Sequence, residues 1–358
     1  MYVKVLIASL LCVYPFGCFW YHIIIVGGSF MIDCLSNPSW IGPQIDFLLF
    51  LQNIRLGCSD IIDKFFLSIT IFGEFWLPTL ICAITYWCID FKAGMYLFTL
   101  EGLNVLITHF FKMIACVYRP WVLDTRIHPS ELAVPFAKGY SFPSGHSAMS
   151  SSVVGGVAYL VRHKVWLCIS LICLVLLIGF SRLWLGVHTP QDVVVGLFTG
   201  LVLIFATKFI IDWAELDKNR YLYLIAIVNA VAVIALIYLT FFCSYRIDYV
   251  GCEMLVNPQK TIYLTIVVYG NALGLLNGAF LCRRFFPFNP KESDLKSRIV
   301  RGIVGAAGLI LLLKFVMNYI IICGINVKIA TLIMFIIGLL VTLVYPLVFT
   351  KIENKLKK

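Results

Sequence analysis

Ten stretches of mostly apolar residues recur along the chain, at about 4–28, 66–89, 94–115, 146–161, 165–181, 192–212, 221–242, 261–281, 301–323 and 329–350. Most approach the ~20 residues that a helix requires to cross the hydrocarbon of a bilayer. They run uninterrupted instead of alternating at a period of two, so they predict helices, whose backbone is satisfied within one segment. The fourth is the shortest and is rich in Ser and Gly. Between the first and second, Ile45 to Arg55 is short and apolar with polar ends, the pattern of a helix lying along the outer interface. The first stretch starts with Lys4, as a signal peptide would. Its apolar run is long and no clear Ala-x-Ala site follows, which favours an uncleaved anchor. The expected fold class is all-α, a polytopic transmembrane helix bundle of about ten spans.

Lys and Arg orient these spans, because cytoplasmic loops hold their excess. With the N-terminus inside, the inner loops carry Lys92, then Arg162 and Lys164, then Lys218 and Arg220. Next come Arg283, Arg284, Lys291, Lys296, Arg298 and Arg301, and finally Lys351, Lys355, Lys357 and Lys358. Adding Lys4 and Lys208 places 17 of the 28 basic residues inside. The net charge of +10 is therefore mostly a topology signal, and no nucleic-acid partner is expected. Composition agrees: of 358 residues, 61% are apolar and 13% charged, against about 25% charged in soluble domains. That excludes a soluble cytosolic enzyme and a disordered chain. The thirteen cysteines are scattered, with no CxxC pair and no Cys/His cluster at ligand spacing. No metal and no cofactor are expected. Cys243 and Cys252 share one outer loop, where a disulfide and a pair of free thiols both remain open.

Three polar pieces interrupt this pattern. The outward loop after the third span begins with Lys112 to Arg119-Pro120 and closes with Ser141-Phe-Pro143-Ser144-Gly145-His146. The next outward loop reads Ser181-Arg182, then His188-Thr189-Pro190-Gln191-Asp192. An orientation built from charge alone thus brings all three to one face. Lys112, Arg119 and Arg182 are three positive charges suited to a tetrahedral oxyanion. Ser144-Gly145 opens a helix, where backbone N–H groups meet an anion and glycine permits close approach. Two histidines supply a nucleophile and an acid for phosphate hydrolysis. Thr189-Pro190 reads as a cap followed by the first helical residue. Asp192 then stands one turn from His188 and can hold its Nδ1, leaving Nε2 to attack. His188 is the expected nucleophile and His146, without such a carboxylate, the general acid.

Lys-x6-Arg-Pro, Pro-Ser-Gly-His and Ser-Arg-x5-His-x3-Asp, in this order, resemble the three motifs of the type 2 phosphatidic acid phosphatase superfamily. That superfamily spans membrane lipid phosphatases, glucose-6-phosphatase and soluble vanadium haloperoxidases. The match is carried by Lys112, Arg119, Pro120, Ser144, Gly145, His146, Arg182, His188 and Asp192. The resemblance implies metal-independent hydrolysis of a phosphomonoester or diphosphate through a phosphohistidine on His188, with His146 as acid. It covers about 60–212, a six-span-type core. Residues 1–59 then form an N-terminal anchor and interfacial segment, and 213–358 add C-terminal membrane helices of no readable role. The expected partner is a membrane lipid bearing phosphate or diphosphate. Its reaction site would be extracytoplasmic, with both termini cytoplasmic, in a bacterial plasma membrane.

Other readings keep their place. Trp121 to Thr125 echoes the glucose-6-phosphatase branch, where a sugar phosphate is the substrate, although a loop-packing role fits as well. A phosphotransferase would pass the phosphoryl group to a hydroxyl instead of water. A transporter or scramblase would rest on the ionisable residues within spans, Glu101, His109, Lys314 and Glu74. Structural partnership within the bundle is the expectation for those four. Ser150, Ser151, Ser152, Gly155 and Gly156 are expected to serve close helix packing.

Overall fold

The computed structural model describes residues 37–137, 139–245, 247–250 and 253–356. The expected span at 4–28 and Cys252 of the Cys243 pairing lie outside the described residues. Helix α1 (Pro38–Leu56) starts where the Asn37 side chain accepts from Ser39 N, with proline in the first turn. Ile41, Ile45 and Leu48 pack beneath it against Ile127, while Trp40, Phe47 and Phe50 are exposed above. Both faces are apolar, as suits a helix with protein below and lipid above. Next come α2 (Asp60–Ile69), extended by a tight turn to Gly73, and α3 (Trp76–Ile84), extended by a π turn to Ile89. They meet at 50°, so the span expected at 66–89 is broken. The break falls where a Cβ on Gly73 would come within 2.8 Å of the His146 carbonyl and where Glu74 is extended.

Helix α4 (Phe91–Ala115) is capped by Asp90, which accepts from Ala93 N at 3.0 Å. It stops at Cys116, whose φ of 47° is left-handed. A short α5 (Pro120–Leu123) follows, then α6 (Gly145–Met149), a π turn Ser150–Val154 and α7 (Gly155–Leu160) in one run. This run coincides with the fourth expected stretch, but it is not among the helices long enough to cross a membrane, and its serine-rich middle is buried among neighbours. The rest is α8 (Val165–Trp184), α9 (Pro190–Glu215), α10 (Arg220–Ile237), α11 (Pro258–Phe285), α12 (Leu295–Ile322), α13 (Val327–Leu339) and α14 (Tyr345–Leu356). One two-residue hairpin, β1 (Tyr249–Val250) with β2 (Glu253–Met254), lies between α10 and α11 in a fold that is otherwise all-α as expected. Among the described residues seven helices are long and apolar enough to cross a membrane, or eight with the bent pair.

Helix α11 is the centre of the bundle, packed on α13, α4 and α10. Glycines at every fourth position make this possible. A Cβ on Gly270, Gly274 or Gly278 would stand 2.5, 2.1 and 2.1 Å from Thr331 O, Phe335 O and Thr342 Oγ1. Backbones this close gain dispersion contacts that hold helices together in lipid, where apolar burial gives no drive. The last four spans, which carried no readable motif, thus contain a small-residue stripe. Elsewhere Ser151 Oγ donates to Leu197 O at 2.8 Å, and a Cβ on Gly156 would meet Leu100 at 2.5 Å. Both fit the packing role expected of the 150–156 segment.

Charge sits at the end of the bundle where α4 begins and α9 finishes. Glu215 pairs with Lys92 (3.1 Å) and Arg283 (2.6 Å), and Lys291 pairs with Asp90 (2.9 Å). Arg301 binds Glu353 at 2.5 Å and donates to Trp87 O at 2.6 Å. The helix directions put Lys112, Gly145, Arg182 and His188 at the opposite end. Replacing Gly274 by Leu is expected to cost about 3 kcal/mol through overpacking. Gly308→Leu, where a Cβ meets nothing within 4 Å, is expected to cost less than about 1 kcal/mol. Thermal unfolding of the two variants in detergent checks this, and equal losses would refute it.

Candidate active site

The site is built around the first turn of α9. Thr189 caps the helix, Pro190 takes its first position, and the Asp192 carboxylate reaches back to accept from Thr189 N at 2.9 Å. The same oxygen, Oδ2, accepts from Ser141 Oγ at 2.5 Å and stands 3.3 Å from His188 Nδ1. Arg119 Nη1 lies 2.9 Å from His188 Nε2. A guanidinium only donates, so Nε2 must carry the lone pair and Nδ1 the proton. This is the tautomer that the spacing of His188 and Asp192 anticipated. Burial pushes the His188 imidazole well below its ordinary range, and Arg119, Arg182, Lys112 and His146 push the same way. His188 is therefore a neutral base with its lone pair facing cations.

The second polar piece is gripped from two sides. A Cβ on Gly196 would stand 2.7 Å from Ser144 O, and one on Gly200 would stand 2.5 Å from Ser151 Cβ, so α9 lies directly against α6. Ser144 N donates to Asp192 O at 2.9 Å, stitching the two pieces together. Ser144 caps α6 with its own Oγ, which takes Ser147 Oγ at 2.9 Å. Its side-chain oxygen is thus engaged in the helix cap. The N–H groups of Gly145 and His146 belong to the first turn and lack a helical carbonyl. A Cβ on Gly145 would meet nothing within 4 Å, so open space lies before it.

The three cations differ in employment. Lys112 donates to the carbonyls of Tyr140 (3.0 Å), Ser141 (3.2 Å) and Pro143 (3.1 Å). An ammonium has three hydrogens, and in this structure they are directed at these three loop carbonyls. Arg119 donates from Nε to Gly139 O at 3.2 Å and from Nη1 to Val187 O at 2.9 Å, besides its contact with His188. Arg182 is 1% exposed and its Nε has no hydrogen-bond partner. His146 Nε2 is likewise buried and unpaired. Unpaired buried polar groups are costly, and two of them beside three cations describe a cradle waiting for an anion.

Gly145 and His146 also line a cavity of about 1100 Å3 that reaches Glu74, His109 and Lys314. His188, Arg119 and Arg182 are buried and are not among the residues that line it. Of the ionisable residues within spans, Glu101 is fully buried and accepts from Thr79 Oγ1, and Glu74 accepts from Trp76 Nε1 at 2.9 Å. Trp121 packs between α1 and the cluster around Phe66, and Asp124 pairs with Arg126 at 2.8 Å. That loop has a packing role to explain it.

Sequence reading assigned no role to Ser141, although its hydroxyl bridges Asp192 and the His188 ring, 3.2 Å from Nδ1. Nor did it find Arg55, which is buried and donates to Trp184 O at 3.0 Å and to His128 O, fastening α1 over the loop beside the site. Arg55 had a faint signal as the basic end of an apolar segment. Ser141 had none beyond proximity to Pro143.

Two family models match the chain and between them take in more than half of it. One, described as PAP2 superfamily, matches residues 93–215. The other, described as PAP2 superfamily phosphatase, transmembrane extension, matches 266–357. The chain is 32% identical over 127 residues to phosphatidylglycerophosphatase B of Bacillus subtilis, covering 32% of this chain and 62% of that one. It is 33% identical over 92 residues to undecaprenyl-diphosphatase of Sulfolobus acidocaldarius, covering 26% of this chain and 44% of the relative. The crystal structure of a transmembrane PAP2 type phosphatidylglycerolphosphate phosphatase from Bacillus subtilis aligns with a TM-score of 0.40 at 23% identity. It covers 51% of this chain and 91% of that one.

The unequal employment of the cations predicts unequal effects on stability. Lys112→Met is expected to cost about 2–4 kcal/mol, because three carbonyls lose a charged donor. Arg182→Met is expected to leave the ligand-free protein as stable or more stable, since it removes a buried cation with an unpaired nitrogen. Thermal unfolding without phosphate tests both, and a large loss in Arg182→Met would contradict the argument.

Proposed function

Because the chain belongs to the PAP2 superfamily, we propose that it is an integral membrane phosphatase that hydrolyses a lipid phosphate or polyprenyl diphosphate. The reaction takes place at the extracytoplasmic face, in a bacterial plasma membrane, through a phosphohistidine on His188. The observation that carries this reading is the His188 ring, with Nε2 facing Arg119 at 2.9 Å and Nδ1 facing the buried Asp192. The face follows from charge: the basic residues gather at the other end of the bundle. The lipid character follows from the cavity, which runs from His146 between membrane helices. The relatives bear names for lipid and polyprenyl substrates.

Substrate binding begins with an exchange. A phosphate arriving in the cradle takes the Arg119 Nη1 hydrogen now held by His188 Nε2, together with the unpaired Arg182 Nε–H. The nucleophile is thereby uncovered by the group it attacks. Nε2 then forms a bond to phosphorus as the bond to the leaving oxygen breaks, and His146, protonated once the substrate's negative charge enters the cradle, gives that oxygen its proton. The positive charge arising on His188 is stabilised by Asp192 through Nδ1–H, while the equatorial oxygens face Arg119 and Arg182. Water then attacks phosphorus, His146 takes its proton, and inorganic phosphate leaves with His188 restored. The cations supply the charge that a metal supplies elsewhere, and no step is assigned to one.

Phosphate release from a lipid panel by purified protein tests the reading. His188→Ala is expected to lose at least about 10,000-fold in rate, and Asp192→Asn about 1000-fold or more. EDTA is expected to leave the wild-type rate unchanged. Wild-type release from no lipid, or release that survives His188→Ala, would overturn the proposal. A pH profile offers a separate check. His188 is held neutral, so its protonation removes activity only as pH falls through a value well below the ~6.5 of an ordinary histidine. The acid limb of kcat/KM assigned to it should lie below pH ~6, and a fall beginning near pH 7 would argue against it.

A further inference from the structure

The proposed reaction uses only one wall of the cavity beside His146. Another wall comes from the C-terminal extension, as Val268 of α11 and Leu313 and Lys314 of α12. Lys314 stands in the run Leu311 to Val316, where every other residue is apolar. A lysine within a membrane helix costs about 2.5–3.5 kcal/mol unless something offsets it. Its ammonium lies 5.3 Å from the centre of the Trp76 ring and makes no ion pair among the described residues. A cation over an indole recovers only part of that cost. The charge thus lines the same cavity as Gly145 and His146, and is held there without an ion pair among the described residues.

What stands between Lys314 and His146 constrains the ligand. Gly73 abuts the His146 backbone, Glu74 follows it, and Trp76 donates to Glu74 Oε2 at 2.9 Å beneath the Lys314 ammonium. A ligand running from the phosphate cradle to Lys314 must pass Glu74, which repels an anion and accepts from a hydroxyl. In a diphosphate the two phosphorus atoms share one oxygen, so both groups would crowd into the cradle and leave Lys314 unused.

We infer that Lys314 is a specificity residue that binds a second anionic group of the substrate, separated from the scissile phosphate by a short hydroxylated linker. The inference rests on the phosphatase reading and narrows it. The favoured class is a lipid whose phosphomonoester and phosphodiester flank a glycerol-like unit. The phosphomonoester lies by His188, a linker hydroxyl donates to Glu74, and the phosphodiester meets Lys314 at the start of the hydrophobic tails. The extension helices would then act in substrate choice as well as in packing.

The test is a ratio measured within each protein, which cancels losses from partial unfolding. The kcat/KM for phosphatidylglycerol phosphate is divided by that for phosphatidic acid in wild type, K314Q and K314R. K314Q is expected to lower the ratio about tenfold, the worth of one charged contact, mainly through KM for the two-anion lipid. K314R should stay within about threefold of wild type. The same ratio in wild type and K314Q, with both lipids hydrolysed, would overturn this inference and leave the phosphatase reading standing. Hydrolysis of neither lipid by wild type would overturn both.

Discussion

One buried carboxylate joins everything at the site. Asp192 binds Ser141 and the His188 ring through Oδ2, returns to its own helix cap at Thr189 N, and receives Ser144 N on its backbone carbonyl. The segment 141–144 and the segment 188–192, far apart in the chain, are fixed to one another through this residue. Water is excluded there, so each of these bonds has more electrostatic strength than it would have at the surface. Rotation of His188 would break its link to Asp192 and leave a buried carboxylate underpaired. The imidazole is held in one tautomer for that reason.

Around this anchor the molecule gathers more positive charge than it neutralises. Lys112 is occupied by carbonyls, Arg119 rests partly on His188, and Arg182 keeps an unpaired Nε. Positive charge gathered in this way is costly to bury, and such a cost is common where function requires a site that folding alone would not favour. The rest of the bundle supplies what the site gives up. Gly270, Gly274 and Gly278 bring α11 against α13, and the Glu215 and Glu353 ion pairs close the far end.

The family membership given by the two matching regions has a structural counterpart. The residues matched to the extension are not an appendage, since α11 packs directly on α4, the helix that carries Lys112. Tyr269 Oη donates to Leu106 O at 2.5 Å within that contact. A cavity with walls from both regions follows from this packing.

Much was legible before any coordinates. Long apolar runs satisfy their backbone in lipid as helices, so the helical bundle and the grouping of three polar pieces at one end followed from hydropathy and charge, while the expected ten spans compare with seven or eight among the described residues. The link from His188 to Asp192 followed as well, because one helical turn separates them and a local spacing survives in any fold. What tertiary structure alone decided depends on residues far apart in sequence. The three hydrogens of Lys112 found carbonyls 28 to 31 residues away, and Ser141 found Asp192 across 51. Arg119 covers His188 from 69 residues away, and Lys314 shares a cavity with His146. Composition and spacing state which groups are present and what their near neighbours are. They do not say which carbonyl or carboxylate a long side chain will meet, because that is settled when helices pack.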